Sequence, residues 1–576
     1  MENEPGSATQ AIVPVVIEID QALMDRIDAS ALQQEFEQDL ATVISRLGIP
    51  ARPEVQIRSH RQKSGPSPAH LFLSVNGQEG HFHLDLLQKA YLYAIEKSLP
   101  EDFKQASLLS SLAKVQPDQV RRFLRLASLE VVQSQAAILL NDEILESCIR
   151  SLEPELSNAS PPENGWLRIL FASLLNLRIP IPPPAILAQA IEANQGEEKS
   201  LESTCEDWIA QFNPRTIEIQ LPLAYLKQIT RGLQDDDLEA IRLMRDGLFY
   251  ELGVRIPDIQ VSPFEEMEPD CFRLVINALP GIPVRGLTSS QILVNDTPER
   301  LALLNMKGEA VLNPANGNPA AIISEKDAQM AETAGLTTWN QVGYLVLAIS
   351  AELRAFMYCF VDQSLAETYL EDLETALPAL VTSVRTQIPA YKVAKALRLL
   401  VKEGISIRNL RQILEAMLDF DYIVTDSLSY IVLDPRLPVS TEPGKDWLND
   451  TVNLKEFVRT KMKRYISHKY TLGHNTLIVY LLDPDIEKWL ANRQAKPLSI
   501  HLESLDGSEY QSLLQAIRAE LEALPPTAQH PAILTTNEVR PVLQEMLAPV
   551  FPRLPVLSYQ ELSPDLNIQP IARIEL

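Results

Sequence analysis

Apolar and polar positions along the chain spell the same short module twice. Val16-Ile17-Glu18-Ile19 alternates as a half-buried strand does, and Phe36, Leu40, Val43, Ile44 and Leu47 follow at the spacing of one helix face. That helix ends in Leu47-Gly48-Ile49, and Pro53-Glu54-Val55-Gln56-Ile57 reads as the next strand. The pattern returns in Thr216-Ile217-Glu218-Ile219, then Leu238, Ile241, Met244 and Leu248, then Leu252-Gly253-Val254 and Pro257-Asp258-Ile259-Gln260-Val261. The offset between copies is 200 at the first strand, 205 at the Leu-Gly pair and 204 at the second strand, a drift that small loop insertions explain. Leu71–Val75 and Arg273–Ile276 add one more strand to each copy, so both predict a β-α-β-β order.

A helical module recurs as well. Ile179, Ile181, Leu187 and Ala190 fall opposite Ile405, Ile407, Ile413 and Ala416 at a constant offset of 226, each set following an amphipathic helix (Leu167–Leu175; Val393–Val401). The larger offset places an insertion in the second half, at Ala278–Thr333. Two separate modules recurring in one order read as an internal duplication. The C-terminal part has no counterpart in the first half. A helix over Leu454–Tyr470, a strand over Leu477–Leu482, a strand over Pro531–Thr535, a helix over Val539–Ala548 and a strand over Leu554–Ser558 predict an α/β layer with parallel neighbours. Ser157–Gly165 and Asn194–Glu206 read as surface loops, and Arg436–Trp447 as a boundary before the last domain.

Composition narrows the function classes. With 51 Lys+Arg against 76 Asp+Glu the formal charge is −25, which disfavours nonspecific nucleic-acid binding. A 46% hydrophobic, 22% charged chain has material for several cores and is unlike a disordered one. Four cysteines far apart, at 148, 205, 271 and 359, give no disulfide framework or zinc ladder, so a reducing cytoplasm is expected. Met1–Gly6 carries two Glu and no basic residue, unlike an export leader. Gly343–Val361 is apolar enough to suggest a membrane span. Glu352 and Arg354 near its middle favour a buried helix.

Candidate chemistry is sparse. His81-Phe82-His83 could aim two imidazoles to one face of a strand, but no third ligand follows at a set spacing. Asp235-Asp236-Asp237 precedes an amphipathic helix and fits N-cap and first-turn placement better than a cation site. No P-loop and no nucleophile elbow is present. Lys455–Lys469 is a basic run that reads as the solvated face of a helix or as a docking surface for an acidic partner. Pro182-Pro183-Pro184 reads as a rigid helix start. No cofactor and no catalytic residue is expected.

From about Arg215 onward the chain resembles the cytoplasmic part of the FHIPEP family, the large export-gate protein of flagellar and type III secretion systems. The resemblance is carried by Leu252-Gly253-Val254-Arg255-Ile256-Pro257, by Ile405-Ser406-Ile407-Arg408-Asn409-Leu410-Arg411-Gln412-Ile413-Leu414-Glu415, by Asn537-Glu538-Val539-Arg540-Pro541 and by Leu557-Ser558-Tyr559-Gln560-Glu561-Leu562. It implies four subdomains, a small one inserted into the first, in a mixed α/β (α+β) fold. The expected division is a tail at 1–14, a degenerate first-subdomain-like module with a helical extension at 15–140 and a helical third-subdomain-like module at 141–212. A first subdomain at 213–277 with 334–358, an inserted second at 278–333, a helical third at 359–448 and a C-terminal α/β subdomain at 449–576 follow.

The resemblance also implies a non-catalytic, cytoplasmic platform for proteins. Its expected partners are export-apparatus components, a chaperone or client, or further copies of itself, with no nucleic acid and at most a peripheral place at a membrane complex. Family members carry a multi-helix membrane region before this part, where this chain has Val15–Phe212. The family's Asp-Pro-x-Phe-Gly and Thr-His-Leu segments, near a chaperone-binding groove, match Asn313-Pro314-Ala315-Asn316-Gly317 and Leu347-Ala348-Ile349. Asn313, Pro314, Asn316, Gly317, Leu347 and Ile349 are therefore the expected partner-binding residues, with Asn316 replacing the aromatic; that replacement predicts no binding of flagellar-type chaperones there. An adaptor of another complex, or an enzyme with dispersed catalytic residues, stays open as an alternative.

Overall fold

Val13, Val15, Ile17 and Ile19 all point to one side of β1 (Ala11–Asp20) and are fully buried, which makes this strand the centre of the first sheet. The computed structural model describes residues 10–60, 71–95, 108, 111–157, 162–193, 200–231, 235–315, 317–426, 451–492, 507–524 and 531–576. The expected boundary at Arg436–Trp447 lies outside the described residues. Two compact units result, residues 1–360 and 361–576.

In the first unit β1 runs parallel to β2 (Ala51–His60) and antiparallel to β3 (Leu71–Val75), with β4 (Gln78–Gly80) beyond it, in the order β2-β1-β3-β4. A parallel pair needs a crossover. Helix α1 (Ala29–Arg46) supplies it, capped by Asp28 and burying Leu32, Phe36, Leu40, Val43 and Ile44. Gly48 closes it at φ 68, with Ile49 N donating to Ile44 O at 3.1 Å. A second sheet has the same order, β6-β5-β7-β8, built from β5 (Ile217–Leu221), β6 (Ile259–Pro263), β7 (Cys271–Ile276) and β8 (Leu279–Pro280), with β9 (Val284–Arg285) also pairing β7.

Pairing register moves the expected correspondence by two residues. Ile17 lies between Ile57 and Leu73, and the residue in that place in the second sheet is Ile219, between Val261 and Leu274, rather than Ile217. A shift of two keeps the inward face, because side chains alternate along a strand.

Between these sheets run α2 (Leu84–Ile95), α3 (Pro117–Ser134), α4 (Asp142–Leu152), α5 (Asn164–Leu175), α6 (Pro184–Ala193) and α7 (Leu201–Phe212). The segment expected as a loop to Glu206 becomes helical at Leu201. Ser200 accepts from Ser203 N at 3.2 Å there, and Cys205, Trp208 and Ile209 supply a buried stripe. Helix α8 (Asp235–Leu252) starts at the three aspartates. His81 and His83, read from the sequence as lying on a strand, lie past the end of β4 instead. Leu86 N donates to His83 Nδ1 at 3.2 Å, and burial pushes the His81 imidazole down to about 4.

A third sheet, ordered β11-β12-β10-β13, comprises β10 (Gln291–Val294), β11 (Glu309–Leu312), β12 (Pro319–Ser324) and β13 (Thr338–Trp339). Helix α9 (Gln341–Phe356) follows. The stretch Gln341–Phe360 is long and apolar enough to cross a membrane by length and composition. Here Val342, Leu345, Ala348, Ile349 and Leu353 are buried in the fold and Glu352 pairs with Lys89.

The second unit opens with α10 (Gln363–Glu374), α11 (Pro378–Gln387), α12 (Ala390–Lys402) and α13 (Leu410–Asp426). The end of α12 repeats the end of α5. Gly404 (φ 69) and Arg178 (φ 61) both take the left-handed position, and Ile405 N to Leu400 O (2.8 Å) matches Ile179 N to Leu174 O (3.0 Å). The helix expected over Leu454–Tyr470 is two, α14 (Thr451–Lys461) and α15 (Lys463–Thr471), broken at Met462.

The last sheet is fully parallel, β16-β15-β14-β17, from β14 (Thr476–Leu482), β15 (Ala532–Thr535), β16 (Val556–Ser558) and β17 (Asn567–Ile574). Helices α16 (Pro484–Ala491), α17 (Gly507–Ala523) and α18 (Arg540–Leu547) complete it. Both readings of the basic run fail at its first half. Lys455 and Arg459 are buried, within a cluster that also contains Glu403, Glu456, Glu561 and Arg540.

Candidate partner-binding site

Strand alternation in the third sheet sends apolar side chains to both faces. Ile292, Val294, Ala321 and Ile323 close one core with Leu301, Met306 and Ala331. Leu293 and Ala320, one position out of phase, face the other way and meet Leu287. Around this second cluster Val311, Ile322, Trp339, Tyr344 and Leu347 are only half-buried. They form an apolar shelf where the sheet meets α9.

The shelf is held from beneath. Asn340 caps α9 by accepting from Gly343 N at 2.8 Å, and Gln341 Nε2 donates to Leu287 O at 2.7 Å. Tyr225 OH donates to the same carbonyl at 3.0 Å. A β-carbon on Gly343 would stand 3.1 Å from Trp339 Cδ1, so the absent side chain is what lets the helix start press against the indole. Burial pushes the Tyr344 phenol up to about 12, so it stays neutral and can only exchange hydrogen bonds.

The residues expected from the resemblance divide four ways. Asn313 is 2% exposed and turned inward. Its Oδ1 accepts from Ala315 N at 2.9 Å, its carbonyl from Gly317 N at 2.8 Å, and its Nδ2 donates to Asn295 Oδ1 at 3.4 Å. Asn313 thus shapes the β11–β12 turn, with Pro314 half-buried and Gly317 at φ 75. Asn316 lies outside the described residues. Leu347 sits on the shelf with Val311 and Ala320 from the strands flanking that turn, so the turn and α9 are brought to one surface. Ile349 is 2% exposed and faces the core, where it cannot touch a partner.

Trp339, Tyr344, Val311 and Ile322 were not among the expected residues. Their signal in the sequence is period-two alternation running into a helical i, i+3 pair, Tyr344 and Leu347, and only the packing shows that these faces are the incompletely covered ones. Among the described residues no group of three His, Cys, Asp or Glu side chains gathers as a metal site.

Residues 183–567 match the sequence profile of the FHIPEP family. The low calcium response locus protein D of Yersinia pestis is 29% identical over 352 residues, 59% of this chain and 46% of that protein. The flagellar biosynthesis protein FlhA of Bacillus subtilis is 25% identical over 386 residues, 67% of this chain and 52% of that one. The chain therefore spans about half the length of these relatives. The solved structure of the Chlamydia pneumoniae CdsV protein superposes with a TM-score of 0.53 at 26% identity, covering 63% of this chain and 98% of that one, and CdsV in complex with CdsO gives the same score at 27%. With two thirds of its length matched to the profile, the chain belongs to the FHIPEP family.

Proposed function

We propose that this chain is a non-catalytic docking platform of a protein-export apparatus, working in the cytoplasm at the periphery of a membrane complex. The single observation that carries the reading is the Trp339–Tyr344–Leu347 shelf in a chain of this family. Half-buried aromatic and aliphatic side chains held by a rigid underlayer are what a partner's apolar anchor needs. That CdsV has been solved in complex with CdsO supports a protein as the occupant. With asparagine at 316, where the resemblance implies an aromatic, we expect the client to engage the shelf itself and to differ from a flagellar-type chaperone.

Titration of the purified chain with chaperone–substrate pairs from type III and flagellar export systems tests this. A type III pair should bind, and Leu347→Glu should weaken binding at least about tenfold, the loss of one anchor contact of about 1.4 kcal/mol. Equal binding by the Leu347→Glu chain would remove the shelf from the interface, and tight binding of the flagellar pair would contradict the choice of client.

A further inference from the structure

The part of the chain preceding the second sheet, residues 10–212, packs on that sheet and on α9 through a seam of polar contacts. Asn277 Nδ2 donates to Leu177 O at 2.9 Å and Ala278 N to Arg178 O at 3.4 Å. Arg178 reaches across, its Nη1 donating to Leu279 O at 3.4 Å and its guanidinium stacking 3.7 Å from the centre of the Phe356 ring. Beside it Lys89 pairs with Glu352. At the other end Arg122, lying over the Tyr93 ring, pairs with Glu268, which also holds Arg285 at 2.9 Å. Within this one compact unit the seam is rich in charged groups, as contacts between domains are.

We propose that residues 10–212 are a releasable cover on the β7–β8 hairpin and α9, held by this ion-paired seam and governed by the protonation state of Glu130, the partner of the Arg178 that reaches across it. Glu130, on α3, is 13% exposed and accepts from Arg178 Nη2 at 3.4 Å. The groups facing this site are Arg178 from the α5–α6 turn, Lys89 and Asp85 from α2, His83 just before it, and Glu352 from α9. Burial pushes the Glu130 carboxyl up to about 7 against the pull of Arg178, with Glu352 adding to the rise. Exposed to water by undocking, it would titrate in the ordinary carboxylate range. The docked state thus holds the proton more tightly. Docking is strongest in mild acid and weakens as pH rises through about 7.

The seam and the apolar shelf share α9, which carries Glu352 and Phe356 to one and Tyr344 and Leu347 to the other. If the docking reading above holds, release of the cover changes the support of the shelf. The seam itself is tested without any partner, so either can fail alone.

Hydrogen–deuterium exchange of the full chain at about pH 6 and about pH 8, corrected for intrinsic exchange, reads the seam. Protection of the hairpin amides around Ala278 should fall by about tenfold or more between them, one unit of pKa difference being worth tenfold. The Asn76 amide, bonded to Pro14 O inside the cover, should keep its protection, which separates undocking from unfolding. In Glu130→Gln the hairpin should stay protected at both values. Unchanged hairpin protection in the wild-type chain overturns the proposal, even if the variant does not fold. A pH response that survives in a folded Glu130→Gln chain overturns it too.

Discussion

Asn76 and Asn277 hold the same left-handed corner in two different sheets, at φ 52 and φ 53, and the amide of each donates to the carbonyl just before a buried residue of its central strand, Pro14 O (2.9 Å) ahead of Val15 and Thr216 O (3.0 Å) ahead of Ile217. Asparagine suits the corner because its short amide tolerates this conformation and bonds locally. Asn277 Oδ1 also accepts from Thr216 N at 3.2 Å, while Nδ2 reaches Leu177 O. Asn277→Ala should therefore destabilise the chain by about 2 kcal/mol, through lost bonds and backbone strain. Asn277→Gly should recover the strain part alone, and denaturant titration of both separates the two.

The buried cluster of the second unit sets a sharper expectation. Arg540 pairs with Glu403 and Glu456, Arg459 with Glu403 and Glu561, and Lys455 with Glu403 and Glu456, so three cations balance three carboxylates. Arg540→Met leaves three buried carboxylates facing two cations and should cost about 3–5 kcal/mol. Arg540→Lys should rescue little of it, since an ammonium cannot reproduce the fork.

The same cluster fixes a pH dependence. Burial alone would raise the Glu403 carboxyl, but Arg540, Lys455 and Arg459 outweigh it and hold the group well below the usual range. A depressed carboxylate stabilises above its unfolded value, near 4.5, and that stability is lost as pH falls further. Acid titration followed by near-ultraviolet circular dichroism should show loss of second-unit packing below about pH 4.

On α9 two neighbours should respond oppositely. Ile349→Ala opens a cavity and should cost about 2–4 kcal/mol in stability. Leu347→Ala, on the half-buried shelf, should cost less than about 1.5 kcal/mol and act mainly on partner affinity. Thermal unfolding beside a binding titration distinguishes core from shelf.

Gly48 and Gly77 make a matched pair. Both have positive φ, 68 and 78, but a β-carbon at Gly48 would lie 2.3 Å from Ile181 O, while one at Gly77 meets nothing within 4 Å. Gly77→Ala should cost about 1 kcal/mol from conformation alone. Gly48→Ala should cost at least about 2 kcal/mol more, because a backbone carbonyl must move.

Much of the fold was legible because burial on one face imposes a period. Ile17 and Ile19, Phe36 and Leu40, and the apolar run of β14 each announced their element. The break at Met462 was not legible, since the apolar spacing runs on through it. Neither was the burial of Lys455 and Arg459: a charge run reads as solvated unless its counterions are known, and Glu403, Arg540 and Glu561 lie far away in sequence. At the candidate site, the resemblance singled out Leu347, which lies on the shelf, together with Asn313 and Ile349, which are buried. A short motif fixes a chain position, whereas the side of the helix, Leu347 outward and Ile349 inward, is decided by packing.

Two sheets with one strand order also confront the refolding chain with a choice of partners. A central strand released from denaturant meets two parallel and two antiparallel candidates, and exchange between tandem look-alike modules is a common route to misassembly. The ladders differ in length: β1 pairs with β2 over ten residues, β5 with β6 over five. Crossing them would leave half of β1 without neighbours, so the long ladder acts as proofreading against the swapped chain.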